Sequence, residues 1–154
     1  MMDITQMLLR FGVALFLGAL IGVEREMAGK EAGVRTSMMV SGGAAMFSIA
    51  AIQLPYLIAT SPAEIPNIMA HNSGFLAIIA NIVVGIGFLG AGMIFKTESH
   101  VHSLTTAAVI WAAAAIGMLS GIGLMNFATA ATIIISTLLY IMRRVGISEK
   151  LRHD

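Results

Sequence analysis

Three stretches of this chain carry no charged residue at all: Thr36 to Ala63, Ile65 to Phe95, and the whole interval between Glu98 and Arg143. A soluble fold needs charge spread along its surface, and runs of this length leave too little of it for a water-facing exterior. Composition points the same way, with 11% charged residues where soluble domains average about 25%. Apolar residues make up 58% and Gly adds 16 positions. The uncharged runs therefore read as membrane spans, and the fold class as an all-α polytopic membrane protein. A net charge of +1 supplies no basic groove, so nucleic acid is not an expected partner. With zero Cys, disulfides, thiolate metal sites and Cys nucleophiles drop out together.

Bilayer thickness divides the runs. A hydrocarbon core of roughly 30 Å takes about 20 apolar residues per helix. The first span is Ile4 to Val23, interrupted by Arg10, and its flanks, Asp3 and Gly22-Val23-Glu24-Arg25, lack the basic start and small-residue cleavage site of a leader. A second span runs from Thr36 to Leu54, where Pro55 is expected to end it. Ser61, Pro62, Pro66 and Asn67 mark a connection up to Asn72, and a third span follows from Gly74 to Phe95. Leu104 to Met142 as one helix would be about 58 Å long, nearly twice the core. It must fold back at Gly121-Ile122-Gly123, giving a fourth span from Thr105 to Ser120 and a fifth from Leu124 to Met142.

Five spans sort the basic residues. Arg25, Lys30 and Arg35 lie between spans one and two, Lys96 between three and four, and Arg143, Arg144, Lys150 and Arg152 after span five. All of these fall on one side, which the positive-inside rule makes cytoplasmic, with the N-terminus outside. The expected organisation is a transmembrane domain over 1–143 and a short basic cytoplasmic tail over 144–154.

Small residues recur at helix-packing spacing: Gly18 and Gly22, Gly117 and Gly121, and Gly85, Gly87, Gly90 and Gly92. In lipid such residues let backbones meet, either inside one chain or between two copies, a dimer being the favoured oligomer. Leu17-Gly18-Ala19 returns as Leu89-Gly90-Ala91, each followed by a polar loop and a helix that opens with Thr. This pattern fits a parallel repeat of spans one-two and three-four.

Chemistry gathers at the inner face. Glu24-Arg25-Glu26 closes span one and Arg35-Thr36 opens span two, with Ser103 as an N-cap and Thr105 and Thr106 at the same level on span four. An Arg at a helix N-terminus opposes the macrodipole, so Glu24 or Glu26 is expected to pair with Arg35. The cluster is either an interfacial anchor or a pocket facing the cytoplasm. As a pocket it has two physical occupants: Mg²⁺, held by Glu24, Glu26 and Thr36, or an anion at the helix N-termini with Arg35. Arg10 sits about 9 Å into span one, either in an outer vestibule or snorkelling to the interface. Asn81 is the main polar side chain at mid-depth in span three, and His71 and Asn72 sit near an outer entrance. His100-x-His102 has two of the ligands a metal needs and reads as solvated loop. The 12 Met read as lipid-facing or core fillers.

Two stretches then carry a resemblance. Leu17-Gly18-Ala19-Leu20-Ile21-Gly22-Val23-Glu24-Arg25-Glu26 with Ala32-Gly33-Val34-Arg35-Thr36, and Gly85-Ile86-Gly87-Phe88-Leu89-Gly90-Ala91-Gly92 with Leu104-Thr105-Thr106-Ala107-Ala108 and Ile110-Trp111, resemble the signature segments of the MgtC/SapB membrane family. The resemblance covers roughly Leu8 to Leu138. It implies a bacterial inner-membrane protein associated with magnesium homeostasis, growth at low Mg²⁺ and stress survival, with regulation of an F-type ATP synthase as one suggested activity. Members commonly have Gly ahead of the Leu-Thr-Thr, where this chain has Ser103, and many carry a soluble domain after the last span, where this sequence reads as the transmembrane domain alone.

Two functions of different class follow. The first is a non-catalytic regulator in magnesium or acid-stress physiology, acting through a larger membrane partner and needing no cofactor beyond the Mg²⁺ option. The second is a small transporter or channel with its site at the inner polar cluster. An enzyme is not expected, because Glu24 and Glu26 flank Arg25, which keeps both ionised.

Overall fold

The computed structural model describes residues 1–71, 74–98 and 100–145. The chain is all-α apart from one small hairpin. Helices α1 (Ile4–Met27), α2 (Val34–Ile58), α3 (Ile65–His71), α4 (Gly74–Met93), α5 (Leu104–Ile122) and α6 (Met125–Arg144) follow in order, with a 3₁₀ turn at Pro62–Glu64 and strands β1 (Phe95–Lys96) and β2 (Val101–His102) between α4 and α5. Four of them, α1, α2, α5 and α6, have the length and apolarity to cross a membrane, while α4 offers a shorter apolar stretch, Ala77–Met93.

The helix ends follow local chemistry. The Asp3 carboxylate caps α1 by accepting from the Thr5 N–H at 3.3 Å. At the other end Gly29 takes a left-handed φ of 65°, and the Lys30 N–H closes back on the Arg25 carbonyl at 3.0 Å. Helix α5 stops in the same way: Gly123 has φ 100° and the Leu124 N–H reaches the Leu119 carbonyl at 2.8 Å. The fold-back expected at Gly121-Ile122-Gly123 is therefore present, and its stop is Gly123.

Pro55 does not end α2. The helix continues through it to Ile58, because a proline only one turn from a helix end deletes a single hydrogen bond. The turn beyond it is closed by the Ala59 N–H donating to the Pro55 carbonyl at 3.2 Å. The third apolar run also ends earlier than Phe95, which leaves α4 and pairs in the hairpin with His102, while Lys96 pairs with Val101.

Helix α2 is the centre of the bundle, with α1 and α5 packed on it most closely; α6 lies against α1 and α5, and α4 against α5 and more lightly against α2. The buried face of α2 is Ser37, Ser41, Gly42, Ala44, Ala45, Ser48, Ile49, Ala51 and Gln53, almost all small. Facing it, a Cβ built on Gly18 would stand 2.6 Å from the Ser37 carbonyl oxygen, and one on Gly121 would stand 2.7 Å from that of Ala45. Gly117 lies against the Ser41 backbone even more tightly. Three helices thus meet backbone to backbone, the mode of association available where solvent is as apolar as the side chains. The larger apolar residues divide into a small core, Leu17, Ile21, Val109, Ala113, Ile116 and Ala128, and an outward face that includes Phe16, Phe88, Trp111 and Ile134. Such a face suits contact with lipid.

Candidate functional site

The polar cluster expected at the inner face is assembled from α1, α5 and α6. Ala14, Leu17, Gly18, Ile21, Gly22 and Arg25 lie three or four residues apart along the buried face of α1, so helical phase carries Arg25 into the bundle. Its residue is 4% exposed, and Nη2 donates to the Thr106 hydroxyl of α5 at 3.1 Å. Glu24, 8% exposed, stands between two guanidinium groups: Arg25 Nη1 is 3.9 Å from Oε2, and Arg143 Nε of α6 is 4.0 Å from Oε1. Among the described residues Glu24 Oε2 and Arg25 Nε are buried without a hydrogen bond. Both ion-pair contacts are long and these atoms have no partner, so burial of this charge cluster is costly.

Arg35 does not join it. No ion pair forms at Arg35 among the described residues, and the side chain is exposed. Ser37 begins the buried face of α2, and a residue two positions before it points about 160° away. The carboxylate that Arg35 was expected to attract has another task. Glu26, exposed at the end of α1, accepts the Val34 N–H at 3.0 Å and so caps α2, whose N-cap residue is Gly33 and has no side chain for it.

Glu24 and Glu26 are therefore separated, one buried between arginines and one at the surface. As residues two apart on one helix they face opposite ways, and the donor set does not fit a Mg²⁺ site with Thr36. Among the described residues no group of three His, Asp or Glu gathers at metal-binding spacing. Glu26, Lys30, Glu31, Gly33, Val34, Arg35 and Thr36 instead line an open groove of about 400 Å³ on the loop between α1 and α2. On α5 the adjacent threonines part company, Thr106 buried on Arg25 and Thr105 exposed.

Ser103 occupies the N-cap position of α5, but not as a side-chain cap. It has a left-handed φ of 65° and its hydroxyl makes no capping bond, a backbone conformation that glycine adopts at less cost.

At the opposite end, half-buried Arg10 reaches along α1 to the C-terminal end of α5. Its Nη1 donates to the Gly121 carbonyl at 3.0 Å, placing a cation on the negative end of the α5 dipole. Asn81 lies exposed on α4 and borders an apolar cavity of about 490 Å³ lined by Met39, Val40, Phe47 and Ile82 among others. His102 stacks on Phe95 with ring centroids 4.9 Å apart and its Nε2 lies 3.1 Å from the Thr97 hydroxyl. The His71 side chain, Asn72, Lys150 and Arg152 lie outside the described residues.

Two residues were missed as site members. Arg143 counted only toward topology, although the inner end of the fifth apolar run has to return to the level of Glu24. Ser37, buried with no hydrogen bond to its hydroxyl among the described residues, gave no sequence signal beyond its place in a small-residue stripe.

A bundle of apolar helices knitted through glycine contacts, with one buried charge cluster at an end, defines an all-α polytopic membrane protein. The MgtC family model matches residues 11–147, and the chain belongs to the MgtC family. It is 44% identical over 122 residues to Protein MgtC of Salmonella typhimurium (strain LT2), covering 79% of this chain and 46% of that protein. It is 40% identical to Protein MgtC of Brucella abortus (strain 2308), covering 79% and 45%. The chain thus spans about half the length of the curated relatives it matches. No solved structure matches it.

Proposed function

We propose that this chain is a non-catalytic regulator in the bacterial inner membrane, linked to magnesium homeostasis or to low-Mg²⁺ and acid stress, and acting through helix contacts with a second copy or with a larger membrane protein such as an F-type ATP synthase. Its arrangement is five crossings, α1, α2, α4, α5 and α6, with the N-terminus outside. The inner ends of α1 and α6 meet at Glu24 and Arg143, and Gly90 of α4 faces Ala107 of α5 as Gly18 of α1 faces Ser37 of α2, which supports both the alternation and the parallel repeat.

One observation carries the preference for regulation over conduction: four hydroxyls at successive depths of the bundle are spent on backbone carbonyls, Ser37 and Ser136 being the buried hydroxyls without such a bond among the described residues. Ser41 donates to Ala14 at 2.7 Å, Ser48 to Ala44 at 2.8 Å, Ser120 to Ile116 at 2.9 Å and Thr132 to Ala128 at 2.8 Å. An ion crossing the bilayer needs groups that can replace its hydration shell, and here the backbones themselves are in contact where a path would run. The alternative reading, a small transporter for Mg²⁺ or another ion, has Asn81 and the α2–α4 cavity in its favour. A liposome flux assay with Mg²⁺, protons and phosphate in parallel decides between them. The regulator gives no Mg²⁺ flux above empty vesicles; protein-dependent Mg²⁺ uptake that Asn81→Ala abolishes establishes the transporter instead.

A further inference from the structure

The charges at the inner end of α6 do not balance. Tyr140, Arg143 and Arg144 stand at i, i+3 and i+4, so both guanidinium groups flank one ring. Arg143 Cζ lies 5.5 Å from the Tyr140 ring centroid, and Arg144 Nη1 donates to the Tyr140 hydroxyl at 2.9 Å. With Arg25 this makes three guanidinium groups, and Glu24 is the one carboxylate paired with any of them among the described residues. The C-terminal dipole of α6 offsets about half a charge, leaving more than one positive charge uncompensated among the described residues where an apolar face ends. The exposed stripe Ile133, Thr137 and Tyr140 lies in helical phase with Arg144, and Arg143 stands at its edge, so a lipid lying along α6 brings its headgroup to that end.

We propose that Tyr140, Arg143 and Arg144 form a binding site for the phosphodiester headgroup of an anionic phospholipid. Two guanidinium forks held around one phenol offer several N–H donors to a single phosphate, and the ring fixes their spacing before the lipid arrives. The charge count and the exposed stripe leading to the arginines select a lipid over a free anion. The site is independent of whether the protein regulates or transports.

The test gives the purified full chain, in neutral detergent, equimolar phosphatidylglycerol and phosphatidylethanolamine and counts bound lipids by native mass spectrometry. Phosphatidylglycerol is expected to predominate, with Arg144→Gln and Arg143→Gln each reducing the excess about fivefold. Tyr140→Phe, which releases Arg144, reduces it as well, and Lys96→Gln on the hairpin leaves it unchanged. Arg144 makes no contact with Glu24, so Arg144→Gln keeps the ion-pair network and unfolds at the wild-type temperature. Equal retention of the two lipids by the wild type overturns the proposal, as does an excess that survives both arginine substitutions. Displacement of phosphatidylglycerol by millimolar inorganic phosphate overturns it in favour of a free-anion site.

Discussion

Arg25 of α1 and Thr106 of α5 share a hydrogen bond of 3.1 Å across 81 residues of chain, and through it the guanidinium that neutralises Glu24 is held in place by the N-terminal turn of another helix. Removing Thr106's hydroxyl strands one N–H of a buried cation. Thr106→Val is therefore expected to lower stability by about 1.5–3 kcal/mol, the range for hydrogen bonds to charged groups. Arg25→Ala is expected to cost about 3–5 kcal/mol, since it leaves a buried carboxylate with only Arg143 nearby. Adding Glu24→Ala to it should recover part of the loss. Unfolding of the wild type, Glu24→Ala, Arg25→Ala and the double variant in detergent measures the cycle, and strict additivity would show that Glu24 and Arg25 are not coupled.

Arg35 supplies the contrast within the same loop. It is exposed and forms no ion pair among the described residues, so Arg35→Ala should change stability by less than about 0.5 kcal/mol. A loss comparable with that of Arg25→Ala in the same unfolding assay would refute this placement.

Close approach makes two glycines behave oppositely. Gly117→Ala drives a methyl into the Ser41 backbone, which cannot rotate aside, and is expected to cost about 1–3 kcal/mol or more. Gly87 on α4 has open space where its Cβ would be, so Gly87→Ala should be neutral or gain a few tenths of a kcal/mol from helix propensity. Folded yield and thermal unfolding compare the pair.

Ser103→Gly is expected to stabilise the chain by about 1 kcal/mol or a little less, by relieving the left-handed residue at the start of α5 at some entropic cost. Ser103→Ala should bring no gain, because the hydroxyl makes no cap to lose and the strain remains. A stabilised alanine variant would mean that the backbone there is unstrained.

The five-crossing arrangement is open to single cysteines placed in this Cys-free chain. Ser61→Cys is expected to react with an impermeant thiol reagent on intact cells, and Lys30→Cys and Lys150→Cys only after permeabilisation. Labelling of Lys150→Cys from outside would exclude the arrangement.

The helices and their turning points were legible because bilayer thickness and glycine chemistry act locally: an uncharged run twice too long must break, and Gly123 is where it can. Which arginine enters the bundle depends instead on rotational phase. Arg25 extends the Ala14, Leu17, Ile21 stripe by one more turn, so that signal was present in the spacing. Arg35 was misread because its loop proximity to Glu24 and Glu26 said nothing about the direction of its side chain. The left-handed turn at Ser103 was not legible from the serine itself, which favours N-caps with an extended backbone; the Gly common at this place in the resembling family was its one mark. Pro55 was misjudged for a simpler reason: a breaker one turn from an end breaks very little.

The packing order of the bundle also differs from its order of synthesis. Helix α2 waits for α5 to cover its serine and alanine face, and α4, which emerges between them, has its main contact on α5 as well. Under the proposed five-crossing arrangement α4 would therefore reside among lipids before its neighbour exists, and its apolar stretch from Ala77 to Met93 equips it to do so. Helix α2 has no such independence: α1 covers Ser37 and Ser41, but in a nascent chain stopped before α5 the Ser48 level, which packs on Gly121, would be left facing hydrocarbon.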